Sequence, residues 1–551
     1  MSSNADKEIF QSTVEAFDNA VLFKDKKWTY ITDNSNGGVF QSQIQLDLST
    51  LSSQSNWISL KEAVIQFPIK QTITNVGSGS QTPSRCAIQA AALKNGFHQM
   101  IDSVQLVIDG QTVQTSQIFK NIDTQFKILK DWSKDTEAKY GTTVGWGLDR
   151  TENTTTETAV TLGNLSLSAI APPVYGVQNT NVSSFLHNQG VKERLEYQNI
   201  NASNDFQATV LGASSSVLGK NVVDAAASAT AQNADCFCQF VLATIRLRDI
   251  CPFVEEMPLC RNLRGFLYIN YNAASTTVTT NASNTVTSVN HSQIYGRTHP
   301  GMLRLEDNTD SQSFWPATAA ANVWKLTTEI SGIPSANKTA AIPPLTYARM
   351  NVPYYNANPT IDSILSQKKT FRYLEYQQSE FDLAANGSKT VTLSPGIAGV
   401  KDVLLVPFYT TINGVTVNPW NSSFDTAPAT SSPMATLRDL QVMVGNVPVF
   451  NNPVTMDADM FLQEISKNGI EGGQVNELSS GLLSQKLWNE WYRYYYVDVS
   501  RRIDTDDGCS RSVIVQVANA TSLPMKVLAF VHYDKEVTVD SNTGQVFMGR
   551  L

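Results

Sequence analysis

The 551-residue sequence is poor in charged residues and in cysteine. Charged residues make up 16% of it, and 41 lysines and arginines against 49 aspartates and glutamates give a formal net charge of -8. Proteins that package nucleic acid by themselves usually carry a basic patch or tail. The cluster KDKK (24–27) is short, so we expect no tight direct binding of nucleic acid. Six cysteines are too few for a disulfide scaffold and are expected to stay reduced.

Long apolar runs are lacking as well. The first 20 residues contain no continuous apolar run, so we expect no signal peptide. No stretch of about 18 apolar residues occurs, so we expect no membrane span. The apolar content of 42% is nevertheless typical of a globular protein. Together with the abundant neutral polar residues, it favours a β-rich protein with many polar loops.

Alternation of apolar and polar residues recurs along the chain and predicts an all-β fold. Strand patterns occupy 39–48, 63–69, 103–113, 371–383, 389–393, 402–412, 511–518 and 526–533. Turn-forming clusters separate many of them. Helices are predicted only at 120–137, at 455–467 with Thr455 or Asp457 as the cap, and at 479–493.

Three pairs of segments recur in the same order and indicate two copies of one β-domain. LKEAVIQFPI (60–69) is similar to VKDVLLVPF (400–408), with the lysines 340 residues apart. MIDSVQLVIDGQTV (100–113) is similar to TLRDLQVMVGNVPV (436–449) at an offset of 336, and a weaker match pairs 245–270 with 497–519 at 252. The offset falls by 84 between the last two pairs, so the first copy carries about that many additional residues.

These additional residues fall in the tract from about 140 to 235, which is rich in Thr, Asn, Ser and Ala. The predicted division is an N-terminal arm (1–30), a first domain with the insertion (31–355), a linker (356–368), and a second domain with the C-terminal tail (369–551). Asn358-Pro359 favours an extended or turn conformation in the linker. The weakly amphipathic arm is expected to become ordered on a neighbouring subunit or under a shell. A membrane-surface helix is the alternative, although the acidic polar face argues against it.

Four segments carry a resemblance to a known family. They are GGVFQSQIQLDLSTLSSQSNWISLKEAVIQFPI (37–69), LRDICPFVEEMPLCRNLRGFLYIN with its continuation (247–272), ARMNVPYYNANP (348–359) and KKTFRYLEYQQSEF (368–381). In order and spacing, they resemble the double jelly-roll major capsid proteins of polinton-like viruses and virophages. They cover well under half of the chain, and none is a catalytic fingerprint.

The resemblance implies an all-β fold of two tandem eight-stranded jelly-roll sandwiches with a few short helices in the loops. It also implies a structural protein that forms homotrimers, in which six jelly rolls make a pseudo-hexameric capsomer. Capsomers of the family tile an icosahedral shell around a double-stranded DNA genome, with penton and minor capsid proteins as further partners. The implied location is the virion, after synthesis in the host cytoplasm or nucleus. The insertion at 140–235 would be an outward tower; a disordered surface insertion is the alternative.

Four cysteines lie within 25 residues and invite comparison with a zinc site: Cys236, Cys238, Cys251 and Cys260. Structural zinc sites use paired C-x₂₋₄-C knuckles, whereas here a C-x-C pair is followed by gaps of 13 and 9 residues. The surrounding CFCQFVLATIRL is typical of a strand, which favours buried thiols over metal ligands. Cys86 and Cys509 are isolated. We expect no metal site and no cofactor.

Potential acid, base and nucleophile residues form no catalytic pattern. Glu255 and Glu256 are adjacent, and neighbours on a helical turn face different directions. The histidines are dispersed at His98, His187, His291, His299 and His532. No nucleophile elbow, phosphate-binding loop or dinucleotide motif occurs. We therefore expect no catalytic residue and no enzyme. PFVEEMPLCRNL (252–263) is predicted to be a helical or turn-like crossover between two strands, with Pro252 in its first turn and Pro258 at its end.

The densest aromatic cluster is KLWNEWYRYYYVDV (486–499). The favoured interpretation is a helix that packs Trp488 and Trp491 on its own barrel, followed by a strand. The alternative is an exposed carbohydrate-binding surface. Such a surface would support the alternative function, that of a carbohydrate-binding β-sandwich protein or glycosidase such as a viral receptor-binding spike. That function requires exposed aromatics in a cleft, and for a glycosidase two carboxylates about 5–10 Å apart.

Overall fold

The structure is a computed structural model of the whole chain. It describes residues 23–34, 40–52, 56–75, 88–150, 190, 193–194, 235–280, 286–305, 322–332, 347–359, 365–412, 415–416, 435–472, 481–500 and 509–549. Within these ranges, no helix is long and apolar enough to cross a membrane.

Antiparallel strands dominate both halves of the chain. The strands of the first half are β1 (Phe23–Thr32), β2 (Gln43–Asp47), β3 (Trp57–Ile58), β4 (Val64–Asn75), β5 (Ile88–Leu93), β6 (Ile101–Ile108), β7 (Gln111–Gln114), β8 (Asp235–Arg246), β9 (Gly265–Tyr271), β10 (Ala273–Thr280), β11 (Val286–Tyr295), β12 (Gly301–Leu305), β13 (Asn322–Ile330) and β14 (Arg349–Ala357). Those of the second half are β15 (Lys368–Leu383), β16 (Ser388–Ile397), β17 (Val400–Tyr409), β18 (Thr411–Ile412), β19 (Val415–Thr416), β20 (Leu437–Val444), β21 (Val447–Pro448), β22 (Tyr495–Asp498), β23 (Arg511–Asn519), β24 (Met525–Asp540) and β25 (Val546–Met548).

The described helices are short and lie in the connections. The α-helices are α1 (Lys120–Asp131), α2 (Lys134–Tyr140), α3 (Leu247–Ile250), α4 (Pro252–Glu256), α5 (Ala458–Gly472) and α6 (Gln485–Glu490). Single 3-10 turns occupy Leu48–Leu51, Phe97–Met100 and Gly141–Val144.

Eight strands of each half form two facing sheets with the same connectivity. The first half has the sheets β1-β14-β4-β8 and β2-β9-β6-β7, and the second has β15-β24-β17-β22 and β16-β23-β20-β21. Numbered by chain order within its own half, each pair of sheets runs 1-8-3-6 and 2-7-4-5. This interleaving of two Greek keys is the jelly-roll topology. The predicted all-β fold of two tandem eight-stranded jelly rolls is therefore confirmed.

The three repeated sequence segments fall on equivalent strands of the two rolls. The first pair lies on β4 and β17, the second on β6–β7 and β20–β21, and the third on the ends of β8 and β22 followed by β9 and β23. A helix follows the second pair in both rolls, α1 in the first and α5 in the second. The repeat thus reflects the shared strand order of the two sandwiches.

A second enlargement of the first roll was not predicted. In the second roll β24 begins six residues after β23 ends, whereas in the first roll β10 to β13 lie between β9 and β14. Strands β13, β10 and β11 extend the first sheet beside β4. The β10 sequence AASTTVTT is rich in Thr and Ser, which are also common in loops. Its composition therefore does not distinguish a strand from a loop.

The N-terminal arm predicted at 1–30 overlaps a strand of the first roll. Phe23–Thr32 is not an arm but strand β1, which pairs along its length with β14 at one edge of the first sheet. Ile31 of β1 is buried in the core. The charged side chains of β1 interrupt the alternation of apolar and polar residues by which a strand is predicted from sequence. Residues 1–22 lie outside the described part of the chain, as does most of the insertion at 140–235.

The predicted helices exist with different bounds. The one at 120–137 is broken into α1 and α2, because Trp132 is extended and the Ser133 side chain caps α2 by accepting from the Thr136 amide. Asp457 caps α5, as one of the two alternatives predicted, and accepts from the Met460 amide at 2.8 Å. The helix expected at 479–493 is reduced to α6, which the Ser484 hydroxyl caps.

Candidate functional site: the joint between the two rolls

The two rolls share their hydrophobic cores. One core cluster unites the second roll with residues of the 119–148 segment of the first, among them Phe126 and Trp146. The other unites the first roll with Tyr373, Val537 and Val539 of the second. Apolar burial across the boundary on this scale makes the two rolls one rigid unit.

Helix α1 of the first roll covers the outer face of the sheet β15-β24-β17-β22. Its Phe126 ring lies 5.2 Å from the ring of Tyr494 and 5.8 Å from that of Tyr496, between centroids. On the same helix, Ile122 and Leu129 are fully buried. Both sides of α1 are therefore covered, as expected of a helix held between two β-sandwiches.

His532 on β24 ties this helix to the second roll. Its Nδ1 lies 2.6 Å from Oδ1 of Asp402 on β17, and its Nε2 lies 2.9 Å from Oδ1 of Asp123 on α1. The Lys120 ammonium donates to the other oxygen of Asp123 at 2.6 Å. Because both ring nitrogens face carboxylate oxygens, the ring donates through both and is an imidazolium.

The electrostatics agree with a charged ring. Burial disfavours the charged form of His532, but the Asp402 carboxylate and the two hydrogen bonds outweigh this and raise its pKa to about 9. Burial also disfavours the charged form of Asp123 and by itself would raise the pKa of this carboxyl. The charge of Lys120 and the hydrogen bond from His532 outweigh burial and hold that pKa well below its usual range. The cluster is thus a compensated group of two cations and two anions.

Glu375 on β15 forms a second polar contact across the joint. Its Oε1 accepts from the Thr115 amide at 2.6 Å and from the Thr115 hydroxyl, just beyond β7 of the first roll. Its Oε2 accepts from the Tyr533 hydroxyl and the Lys535 ammonium, both at 3.1 Å. The Glu375 side chain has no exposed surface, so these contacts replace the water that a buried carboxylate would lose.

Two tyrosines of β15 bind the backbone that leads into α1. The Tyr376 hydroxyl donates toward the carbonyls of Gln117 (3.2 Å) and Ile118 (3.1 Å), and the Tyr373 hydroxyl donates to the Val113 carbonyl. The Lys120 ammonium lies 5.0 Å from the centre of the Tyr376 ring. Tyr376 is only 2% exposed and occupies the centre of the joint.

The charged stretch around Glu255 belongs to the same joint. As predicted, α4 begins at Pro252 and ends before Pro258, in the crossover from β8 to β9. Its Phe253 ring packs on those of Phe371 and Tyr373 of the second roll, at 5.5 and 5.3 Å. The crossover is therefore a contact element between the rolls, which sequence reasoning missed because no local pattern identifies the partner of a short helix.

Glu255 and Glu256 do not act as a pair. Glu255 forms an ion pair with Lys127 on α1, with 2.7 Å between Oε2 and Nζ. Burial alone would raise the pKa of Glu255, but the charge of Lys127 outweighs it and lowers the pKa. Charge pairing explains this carboxylate without a catalytic role.

A cleft of about 220 Å³ opens where α1, α4 and the second sheet meet. It is lined by Asp123, Phe126, Lys127, Lys130, Asp131, Pro252, Glu255, Glu256, Arg372, Tyr373, Leu374, Tyr376, Asp402, Tyr496, His532 and Asp534. No serine, threonine or cysteine is among these residues, and both nitrogens of His532 face carboxylates. The arrangement fixes helix α1 in place between the two rolls.

Two of the four clustered cysteines are buried thiols. Cys251 and Cys260 are fully buried and free, and burial raises the pKa of each to about 12. Cys509 is free and exposed. The side chains of Cys236 and Cys238 and all of Cys86 lie outside the described residues. Within those ranges, no three His, Cys, Asp or Glu side chains are grouped as metal ligands.

The histidines are less dispersed in space than in sequence. Nδ1 of His291 and Nε2 of His299 lie 3.2 and 2.8 Å from the hydroxyl oxygen of Thr276, and their rings are 5.7 Å apart. Burial lowers the pKa of His299 to about 3. Burial also lowers the pKa of His98 to about 3. The rings of His299 and His98 are therefore neutral at physiological pH. His187 lies outside the described residues.

The aromatic cluster at 486–499 is buried, as predicted. Trp488 is 3% and Trp491 6% exposed, and the tyrosines at 492 and 494–496 are at most 1% exposed. The Tyr492 hydroxyl accepts from the Asp149 amide of the first roll at 2.9 Å. The cluster therefore packs against its own roll and also against the other roll.

A buried ion pair joins two points of the long insertion, Asp149 near its start and Arg194 near its middle. Arg194 donates to Asp149 Oδ1 at 2.7 Å and to the Gly147 carbonyl at 2.8 Å, and both side chains have no exposed surface. Sequence reasoning missed this pair, because 45 residues separate its members and no motif marks them.

Comparison with known proteins bears on the fold. No protein-family model and no curated protein matches the chain. A chain in the cryo-EM structure of the Sputnik virophage is similar over 97% of this chain and 90% of its own, with 11% identity and a TM-score of 0.51. The Faustovirus major capsid protein aligns over 97% of this chain and 94% of its own, with 9% identity and a TM-score of 0.42. By its strand order and by the first likeness, the chain has a double jelly-roll fold shared with a virophage protein.

Proposed function

We propose that this chain is the structural major capsid protein of a virus. One observation carries the proposal: two rolls of identical strand order are locked into one rigid unit by a buried joint. Three such chains supply six equivalent rolls, which is the number a pseudo-hexameric capsomer needs. Homotrimeric capsomers would then tile an icosahedral shell around a double-stranded DNA genome.

The composition supports a role in assembly. Sparse charge leaves few ions to be buried unpaired at subunit contacts. Many modest contacts between copies add up through multivalency. The net charge of -8 favours a shell that confines the genome without binding it tightly.

The remaining parts of the proposal follow from the same role. The protein is non-enzymatic and needs no cofactor, and its location is the virion after synthesis in the host cytoplasm or nucleus. Its partners are other copies of itself, a penton protein and minor capsid proteins. The rolls divide near the linker at 356–368.

Light scattering after size-exclusion chromatography, together with electron microscopy of the concentrated protein, tests the proposal. A trimer that assembles into closed shells is expected. A stable monomer that binds glycans and forms no shells would contradict it. The carbohydrate-binding alternative has lost its main support, because the 486–499 cluster that would have formed the sugar platform is buried.

A further inference from the structure

Strand β11 forms one end of the enlarged first sheet. Among the described strands it pairs only with β10, and the pairing is regular from Ser288 to Gln293, with register shifts only toward its two ends. The residues from Asn290 to Ile294 are all exposed. A regular strand at the end of a sheet presents a row of backbone groups on which a further strand can be added.

The other long edge strands of the described sheets are protected against such addition. Strand β1 carries the charges of KDKK, and six of the 16 residues of β15 are charged. Strand β16 contains Pro395 and two register shifts. Strand β8 packs against the 3-10 turns at Phe97–Met100 and Gly141–Val144. Charge, proline, irregular register and coverage are the means by which proteins keep sheet edges from pairing.

Strand β11 has none of these protections. Its sequence VTSVNHSQIY contains no Asp, Glu, Lys, Arg or Pro, and its central six residues pair with β10 without a register shift. An edge that stays regular and uncharged, in a chain that protects its other long edges, indicates that this edge is used for pairing.

The edge is held firmly in place. Ala274, Thr276 and Val278 of the neighbouring β10 are fully buried. Nδ1 of His291 lies 3.2 Å from the Thr276 hydroxyl oxygen, so the His291 side chain is on the inner side of β11. Since side chains alternate along a strand, Asn290, Ser292 and Ile294 lie on the outer side. A strand that is already ordered loses little conformational entropy when a partner strand binds.

We propose that β11 pairs antiparallel with β11 of a second copy of this chain and so joins two sheets into one. A second copy fits this edge because two uncharged strands bring no like charges opposite each other, whereas two copies of the lysine-rich β1 would. A strand paired antiparallel with its own copy has twofold symmetry. The contact therefore lies outside the proposed threefold trimer and goes beyond the proposed function by joining two trimers.

The contact is expected to be weak by itself. One strand edge is much smaller than the interface of a stable dimer. Paired trimers should therefore form only in concentrated protein. In a closed shell, many such contacts would add up through multivalency.

Two opposite charges at one position test the pairing in the full chain. Ser292→Lys and Ser292→Glu each place like charges across the twofold axis, and each is expected to raise the dissociation constant of the pairing about fivefold. An equimolar mixture of the two variants should pair at least as well as the wild type, because Lys then faces Glu. Thr390→Lys is the matched control, because Thr390 is exposed on the protected edge strand β16. Sedimentation velocity over a concentration series measures the species with twice the mass of the trimer. Asn290→Lys and Asn290→Glu repeat the design should the Ser292 variants fail to fold by circular dichroism.

Cysteine cross-linking locates the twofold axis. In a background with Cys509→Ser, which removes the exposed thiol, single cysteines replace Ser288, Asn290, Ser292 or Ile294. Mild oxidation should link two chains, with a yield that is highest at one position of β11 and falls to both sides. The background chain and a chain with Thr390→Cys should give no such link.

Three results would overturn the inference: Ser292 variants that fold and pair like the wild type, a Lys and Glu mixture that does not regain pairing, or equal cross-linking at β11 and at Thr390. The second result would show that a different segment occupies the edge. A wild type that pairs through β11 as two single chains would support this inference and refute the proposed trimer, so the two failures are distinguishable.

Discussion

At the scale of single residues, His532 connects three elements from two rolls. Asp123 and Lys120 face it from α1, Asp402 from β17 and the Tyr376 ring from β15. Its folded pKa of about 9 lies above the ordinary 6.5. A raised pKa means that the charged ring stabilises the fold fully below pH 6.5, and that this contribution is lost as the pH rises through about 9.

We predict that His532→Gln lowers the free energy of unfolding by on the order of 3 kcal/mol near pH 6.5, and that this difference from the wild type shrinks toward pH 10. Urea unfolding at several pH values measures it. Tyrosines and lysines titrate in the wild type and in the variant alike, so their contribution cancels in the difference between the two free energies of unfolding. A difference that stays constant or grows with pH would contradict the charged-ring account.

The buried thiols allow a second prediction at this scale. Alkylation requires the thiolate, and Cys251 and Cys260 are both buried and held as thiols by a pKa of about 12. Iodoacetamide at pH 8, followed by peptide mass spectrometry, is expected to label exposed Cys509 in the native protein. Cys251 and Cys260 should be labelled only after denaturation. Rapid native labelling of either one would show that the joint opens.

At the scale of elements, the short helix α4 acts through a single aromatic side chain. Phe253 is fully buried against Phe371 and Tyr373, whereas Glu256 on the same helix is exposed. We predict that Phe253→Ala destabilises the protein by about 3 kcal/mol, through lost burial and a cavity. Glu256→Ala, the matched control, should change stability by less than about 0.5 kcal/mol. Urea unfolding monitored by tryptophan fluorescence compares the two, and equal effects would show that α4 is not a contact element.

The elements that the sequence predicts well are those with strong alternation. β4, β6 and β17 were found, and the repeat that they form predicted the two equivalent rolls, because the same buried strands recur in both. β1 was mistaken for an arm, since Lys24, Lys26 and Trp28 face outward and give it no apolar face beyond Ile31. The sequence does not predict strand β10, because Thr and Ser make up most of it and are common in both strands and loops.

The joint could be predicted only in part. The crossover helix at Pro252 has a local signal, and its position between two strands followed from the repeat. The contacts of Asp123 with His532 and of Thr115 with Glu375 join residues 409 and 260 positions apart. Neither pair has a spacing motif, so only the folded chain shows that they meet.

At the scale of the whole molecule, the proposed trimer would place six rolls around one axis. Within one chain, the first and second rolls meet through two different surfaces. In the proposed trimer, the second roll of one copy would in turn meet the first roll of another copy. If each repetition turns by about 60°, three chains close a ring of six rolls, and any other angle gives an open helix or a different ring.

Single-particle cryo-EM of the wild-type protein in solution tests this account most directly. The account predicts a particle of about 180 kDa, three times the 60.5 kDa chain. It should have threefold symmetry and six similar β-sandwich densities around the axis. A monomer with two densities or a twofold dimer would contradict it.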